Sequence, residues 1–303
     1  MRRLPKLVGR VALGWFLWRI LGPETPPRYE RGQSRPLRVP GRTVFVGDRE
    51  LFVREAGPAD GPPLVLVHGW SFDGEMTFHQ IIPLLADRYR VIVPDHRNHG
   101  HSDWVRGRFE IADLADDLAG VLDVCGVHAA TVFGWSMGGM VVQELARRRP
   151  DLVGRMVLGA TAARPIAHGR GLARAAFWAG RSIARVSRFE MATLVSRALS
   201  RSGALDAVHH RWMRSALLHR DPTLYYEAGV AVWRFDARQW VRSLRVPALV
   251  IVPGDDQMVP PRAQHDLASL LPGADVAELR GARHESIINR ASEIAGLVRG
   301  FAT

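Results

Sequence analysis

Short apolar runs of β-prone residues recur along this chain, with helical stretches between them. Leu64-Val65-Leu66-Val67, Val91-Ile92-Val93, Ala129-Ala130-Thr131-Val132-Phe133, Met156-Val157-Leu158-Gly159, Ala248-Leu249-Val250-Ile251-Val252 and Val276-Ala277-Glu278-Leu279 read as strands. Ile111-Ala112-Asp113-Leu114, continued by Leu118, Val121 and Leu122, has helical spacing, and so does Met140-Val141-Val142-Gln143-Glu144-Leu145-Ala146. Strands alternating with helices predict an α/β fold: a mostly parallel central sheet flanked by helices. From about residue 163 to 242 the pattern changes. Ala173-Arg174-Ala175-Ala176-Phe177-Trp178 and the run from Met191 to Leu199 lack strand alternation, which predicts a helical insertion.

Length and composition fit one catalytic domain. With 303 residues and 47% apolar content the chain can bury a large core, and no internal repeat or low-complexity block is evident. The single cysteine, Cys125, cannot form an internal disulfide and falls in a helical pattern, as a packed core thiol would.

Charge adds what the periodicity does not show. The formal net charge is +11, and it is unevenly placed. Residues 1–35 carry eight Lys or Arg against two Glu, and residues 163–220 carry eleven Arg against Glu190 and Asp206. The rest of the chain is therefore net negative. At helical pitch Arg3, Lys6 and Arg10 share one stripe, opposed by an apolar surface that includes Trp15 and Trp18. The apolar stretch from Val11 to Trp18 is too short to span a bilayer, which needs about 20 residues. Residues 1–22 are read as a peripheral membrane contact on the cytoplasmic side. A cleaved secretory signal and a helix packed on its own domain are the alternatives. Pro23 to Pro40 reads as a linker, giving an expected division into 1–40 (amphipathic helix and linker), 41–162 with 243–303 (core) and 163–242 (helical cap). No nucleic-acid partner is expected.

The candidate chemistry begins at Gly134-Trp135-Ser136-Met137-Gly138, where an apolar strand run enters a turn and a helical run leaves it. That context suits a nucleophile elbow, in which glycines let the backbone fold sharply and lift a serine hydroxyl above the sheet. A serine hydroxyl needs a base to take its proton and a carboxylate to orient that base. Asp255-Asp256 follows the strand at 248–252, and His284 follows the strand at 276–279, so the order is Ser, Asp, His. Both groups lie at carboxyl ends of predicted strands, where open α/β sheets bind ligands.

With these motifs the chain resembles the α/β-hydrolase superfamily from about Arg42 to the C-terminus. His68-Gly69-Trp70 matches the family's His-Gly dipeptide after an early strand. Asp95-His96-Arg97-Asn98-His99-Gly100-His101-Ser102 matches its Asp-x-Arg-Gly-x-Gly-x-Ser loop, with Asn98 in place of a glycine. Pro253 and Arg283 are further departures. The resemblance implies Ser136 as nucleophile, His284 as general base and then acid, and Asp256 as the orienting carboxylate, with Asp255 the neighbouring alternative. It also implies an oxyanion hole from the backbone N–H groups of Trp70 and Met137, and a cap over the nucleophile in the insertion. Trp70 and Trp135 are candidate substrate-binding residues. His68 is expected to shape the oxyanion loop. His96, His99, His101 and Asp103 have spacing that a metal site could use, but the family loop accounts for the segment, so no metal is assigned.

The expected activity is that of a serine carboxylesterase or lipase-like enzyme acting on a small-molecule or lipid ester with an apolar acyl chain and requiring no cofactor. Relatives with the same three residues cleave carbon–carbon bonds or perform perhydrolysis like the cofactor-free haloperoxidases, and others are non-catalytic ligand-binding proteins. Epoxide and haloalkane hydrolases use Asp at the position of Ser136.

Overall fold

The computed structural model describes residues 39–164, 171–185 and 220–302. Eight strands form one sheet: β1 (Gly41–Val46), β2 (Arg49–Ala56), β3 (Pro63–Val67), β4 (Arg90–Pro94), β5 (Ala130–Trp135), β6 (Val153–Gly159), β7 (Ala248–Pro253) and β8 (Asp275–Leu279). Their spatial order is β1-β2-β4-β3-β5-β6-β7-β8. β1, β2 and β4 pair antiparallel, and every pairing from β4 through β3 to β8 is parallel. The antiparallel edge arises because β1 and β2 are joined by Gly47-Asp48 alone, with Gly47 at φ 61°. A parallel return would need a crossover of a dozen or more residues.

The helices are α1 (Gly74–Phe78), α2 (Ile82–Leu85), α3 (Ile111–Val124), α4 (Met137–Arg148), α5 (Gly171–Ala184), α6 (Pro222–Arg234), α7 (Pro261–Leu270), α8 (Ser286–Asn289) and α9 (Ala291–Phe301). Side chains alternate across a strand, so each buried strand feeds two separate cores. Val65, Val67, Val132, Leu158, Val250 and Val252 pack with α3, α4 and α7. Leu64, Leu66, Phe133, Val157, Leu249 and Ile251 pack on the other face with α1, α2, α8 and α9. Strands covered on both faces read as unbroken apolar runs, which is the pattern seen in the sequence. Cys125 is buried in the first of these cores, at the C-terminal end of α3.

Of the expected insertion, residues 163–164, 171–185 and 220–242 are described, and they include α5 and α6, which pack against each other, and the start of the 3₁₀ turn Val241–Ser243. The basic N-terminal segment, the linker up to Arg38 and the helical run from Met191 to Leu199 lie outside the described residues.

Candidate active site

Ser136 occupies the turn between β5 and α4 with φ 57° and ψ −119°. Positive φ is costly for a residue with a side chain, so the surroundings must hold it. They do so by close approach. A Cβ on Gly134 would lie 2.4 Å from the Gly138 carbonyl oxygen, and one on Gly138 would lie 2.0 Å from that of Val67. Only glycine fits either place. The Ser136 N–H donates to the Gly159 carbonyl at 2.8 Å, tying the turn to the end of β6.

His284 arrives on the loop after β8. Its Nε2 is 3.1 Å from Ser136 Oγ, and its Nδ1 is 2.8 Å from Asp256 Oδ2. A carboxylate only accepts, so Nδ1 carries the proton and the Nε2 lone pair faces the serine hydroxyl. Asp256 is buried and fully engaged: Oδ1 accepts from the N–H groups of Met258 and Val259 at 2.8 and 2.9 Å, and Oδ2 from Gln264 Nε2 at 3.3 Å. Asp255 is exposed, and its N–H donates to the Ala282 carbonyl at 2.8 Å. Of the two adjacent acids, Asp256 is the one that meets His284.

The loop after β3 passes directly beside this serine. A Cβ on Gly69 would come 3.3 Å from Ser136 Cβ. Neither the Trp70 N–H nor the Met137 N–H has a hydrogen-bond partner among the described residues, and the latter stands at the first position of α4, where no carbonyl of its own helix is in reach. His68 braces the loop: the His96 N–H donates to its Nε2 at 3.0 Å, so the proton resides on Nδ1, which donates to the Gly69 carbonyl at 2.8 Å. Burial holds the His68 pKa down to about 3, so its ring stays neutral.

Other parts of the family-like loop are structural. His96 Nε2 donates to the His68 carbonyl at 3.2 Å, while the His99 ring nitrogens face the carbonyls of Arg97 and Trp70 at 2.9 and 2.7 Å. The His101 ring packs on Phe52, and Asp103 accepts from the Glu50 N–H. These groups do not converge on a point, and no set of three or more His, Cys, Asp or Glu among the described residues is arranged to hold a metal. Asn98, which replaces a glycine, adopts φ 63° and exchanges side-chain hydrogen bonds with both backbone groups of Val105. Asparagine tolerates the left-handed region better than other side-chain-bearing residues, and local hydrogen bonds offset the strain.

A cavity of about 60 Å³ opens over Ser136 and His284. Its apolar walls come from Trp70, Phe72, Trp135, Met258, Ile287 and Ile288, so both tryptophans singled out in the sequence reach it. Trp135 is almost wholly buried and donates its indole N–H to the His284 carbonyl at 3.2 Å. Glu285 also lines the cavity, with its Oε2 buried and unpartnered among the described residues; burial raises its pKa. A larger cavity, about 460 Å³, lies between α5, α6 and the loop 106–108 and includes none of these groups.

A family model described as alpha/beta hydrolase fold matches residues 62–291. The chain belongs to this alpha/beta hydrolase family. It is 30% identical over 255 residues to the pimeloyl-[acyl-carrier protein] methyl ester esterase of Neisseria meningitidis serogroup B, a match covering 82% of this chain and 95% of the relative. It is 28% identical over 257 residues to a non-heme chloroperoxidase of Streptomyces lividans, covering 80% of this chain and 92% of the relative. Among solved structures it is similar to the enol-lactonase from Burkholderia xenovorans LB400, with a TM-score of 0.74 and 28% identity over 86% of this chain and 99% of that one. As an alpha/beta hydrolase it has the expected mostly parallel sheet with helices on both faces, here of eight strands.

Sequence reasoning missed Gln264, Glu285 and Arg220. Gln264 carries no pattern, being one polar position on an amphipathic helix. Glu285 directly follows His284, but nothing in the sequence turns it toward the apolar cavity. Arg220 is hidden among the many arginines of the insertion.

Proposed function

We propose that this hydrolase cleaves a carboxylic ester through an acyl-enzyme intermediate, with Ser136 as nucleophile. The observation that carries the reading is the unbroken chain Ser136 Oγ, His284 and Asp256, with spacings of 3.1 and 2.8 Å, beside two N–H groups unpartnered among the described residues. Ser136 Oγ attacks the ester carbonyl as its proton passes to His284 Nε2, and Asp256 stabilises the imidazolium. The Trp70 and Met137 N–H groups receive the oxyanion, a contribution of roughly 10²–10³ in rate for each such donor. His284 then returns the proton to the leaving alkoxide, and water attacks the acyl-enzyme along the same path in reverse. No cofactor enters this scheme.

Cavity size favours a short apolar acyl group, because about 60 Å³ is small beside the roughly 300–1,000 Å³ of ordinary ligand pockets. The names of the relatives support the bond type: one acts on a methyl ester and one on an enol-lactone. We read α5 and α6 as part of a cap over the site, since α6 lies against Trp70. We also read the basic N-terminal segment as an anchor that brings the site to an anionic lipid surface, each such charge being worth about 1 kcal/mol there.

The test is an ester series of increasing acyl length, with and without anionic vesicles. Wild-type protein should prefer short p-nitrophenyl esters, vesicles should bind the full chain, and Ser136→Ala should lose at least about 10³-fold in kcat with its melting temperature unchanged. Turnover retained by Ser136→Ala sinks the assignment. The chloroperoxidase relative supports a second reading, perhydrolysis at the same serine. Bromination of monochlorodimedone that needs both hydrogen peroxide and acetate, exceeding ester hydrolysis, would favour it.

A further inference from the structure

Arg220 is a buried guanidinium with no carboxylate in contact among the described residues. It immediately precedes the Asp221 cap of α6, and it reaches across to the loop that runs beside Ser136. Nη1 donates to the Ser71 carbonyl at 2.8 Å and to the Trp70 carbonyl at 3.2 Å, and Nη2 donates to the Asn98 carbonyl at 3.2 Å. Nε is buried and has no partner among the described residues. A cation is costly to bury unless its donors are satisfied, and here, among the described residues, three backbone carbonyls satisfy the two Nη groups but not Nε. Burial depresses its pKa only to about 10, so it remains charged at neutral pH.

We propose that Arg220 is a positioning residue for the oxyanion-binding loop, an inference that rests on the ester-cleaving reading above. The Trp70 N–H lies between two peptide carbonyls, Gly69 on one side and Trp70 on the other. His68 Nδ1 holds the first, and Arg220 holds the second together with the next, that of Ser71. The Gly69 carbonyl and the Trp70 N–H share one planar peptide unit, which His68 holds, and the Trp70 carbonyl belongs to the next unit, which Arg220 holds, so the two contacts together restrict rotation about Trp70 and the direction of its N–H beside Ser136. His99 Nε2 also meets the Trp70 carbonyl, at 2.7 Å, but its other nitrogen faces the Arg97 carbonyl, and a neutral ring can donate to one of the two only. Arg220 is the partner whose donation does not depend on a tautomer.

The surrounding contacts serve the same loop. The Trp70 indole N–H donates to the Tyr225 carbonyl at 2.6 Å, the Trp70 and Tyr225 rings stack at 4.8 Å, and the Arg220 guanidinium lies 5.1 Å from the Tyr225 ring centre. The Tyr225 hydroxyl is 3.2 Å from Ser71 Oγ. The insertion therefore grips residues 70 and 71 from one side, while the histidine loop supports them from the other. Arg220 touches no atom of the Ser136, His284 and Asp256 chain. Its effect passes through the Trp70 peptide, and it should appear where negative charge develops on the substrate oxygen.

The experiment compares wild type, Arg220→Met and Arg220→Lys by kcat and KM on p-nitrophenyl acetate, by inhibition with phenylboronic acid, and by melting temperature. Boronate forms a tetrahedral anionic adduct on serine and so reports the oxyanion geometry. In Arg220→Met, kcat should fall roughly 10–100-fold while KM stays within about threefold, and the boronate inhibition constant should rise in step with the loss in kcat. Arg220→Lys, which keeps the charge but not the planar fork, should fall between the two. Wild-type kcat and boronate affinity in Arg220→Met, whatever its melting temperature, overturn the proposal, as does a rise in KM that accounts for the whole loss. If Arg220→Met does not accumulate as folded protein, Arg220→Lys decides: kcat and boronate affinity falling together support the role, and wild-type values with a lower melting temperature refute it. If the wild type cleaves no ester, the ester-cleaving reading fails, and the boronate affinities still decide what Arg220 does.

Discussion

At Asp256 every acceptor direction has a donor: two backbone N–H groups on Oδ1, and Gln264 with His284 on Oδ2. Such a carboxylate cannot rotate, and it imposes one tautomer on the imidazole. Asp256→Asn keeps the shape but presents either an amide N–H, which would reverse that tautomer, or a neutral oxygen, which would stabilise the imidazolium less. We predict a fall in kcat of roughly 10³–10⁴. Asp255→Asn, one position away and exposed, should stay within about threefold, because only its backbone braces the His284 loop. Measuring both on one p-nitrophenyl ester separates the two acids. Equal losses would contradict the geometry.

The elements differ in how far their sequence announces them. Strands β3 to β7 are buried on both faces, so their apolar runs are plain. β5 extends two residues beyond the apolar run, to Trp135, because Gly134 is in the strand as well as in the elbow motif. The β1–β2 hairpin at the edge does not read as strands, since its exposed positions interrupt the apolar pattern and only the Gly47-Asp48 turn marks it. α1 and α2 are too short to show a helical period. The glycine-framed turn at Ser136 and the Asp256 and His284 loops are legible because each is a local pattern at the end of a strand. The places of Arg220 and Glu285 are not, because they depend on contacts that no local spacing encodes. α6 gives an element-scale prediction. A Cβ on Gly229 would come 2.4 Å from the Trp70 ring and 2.7 Å from Phe177. Gly229→Ala must push α6 away from both rings, at a cost of about 1–3 kcal/mol. A lower urea midpoint with reduced ester turnover is expected, and an unchanged midpoint would show that the contact yields easily.

At the scale of the whole molecule, three buried histidines set an acid limit. His68, His96 and His99 all have pKa values held well below the ordinary 6.5, first by burial, with nearby cations or neighbouring histidine rings adding to it. The unfolded chain binds these protons once pH drops below about 6.5, whereas the folded chain does not. Their contribution is therefore intact above about pH 6.5 and is lost progressively as pH falls from there. Asp73 acts in the opposite sense: burial, with the Asp95 charge nearby, raises its pKa to about 7, so the folded state holds an extra proton at intermediate pH. Three groups outweigh one. The melting temperature should decline from pH 6.5 to 4.5, and, with Asp73 offsetting one of the three histidines, His99→Gln should flatten that decline by about one half. A melting temperature constant over that range would refute the prediction.

The strand order β5-β6-β7-β8 has a consequence for synthesis. Ser136 meets His284 across 148 positions, and Asp256 meets it across 28, each delivered by a separate pass through the sheet. A growing chain presents the serine long before it presents the imidazole, and the imidazole comes with the edge strand that closes the parallel half of the sheet. If Ser136 is the nucleophile proposed above, its hydroxyl has no base through most of translation, and an unfinished or prematurely terminated chain is chemically silent toward the esters around it.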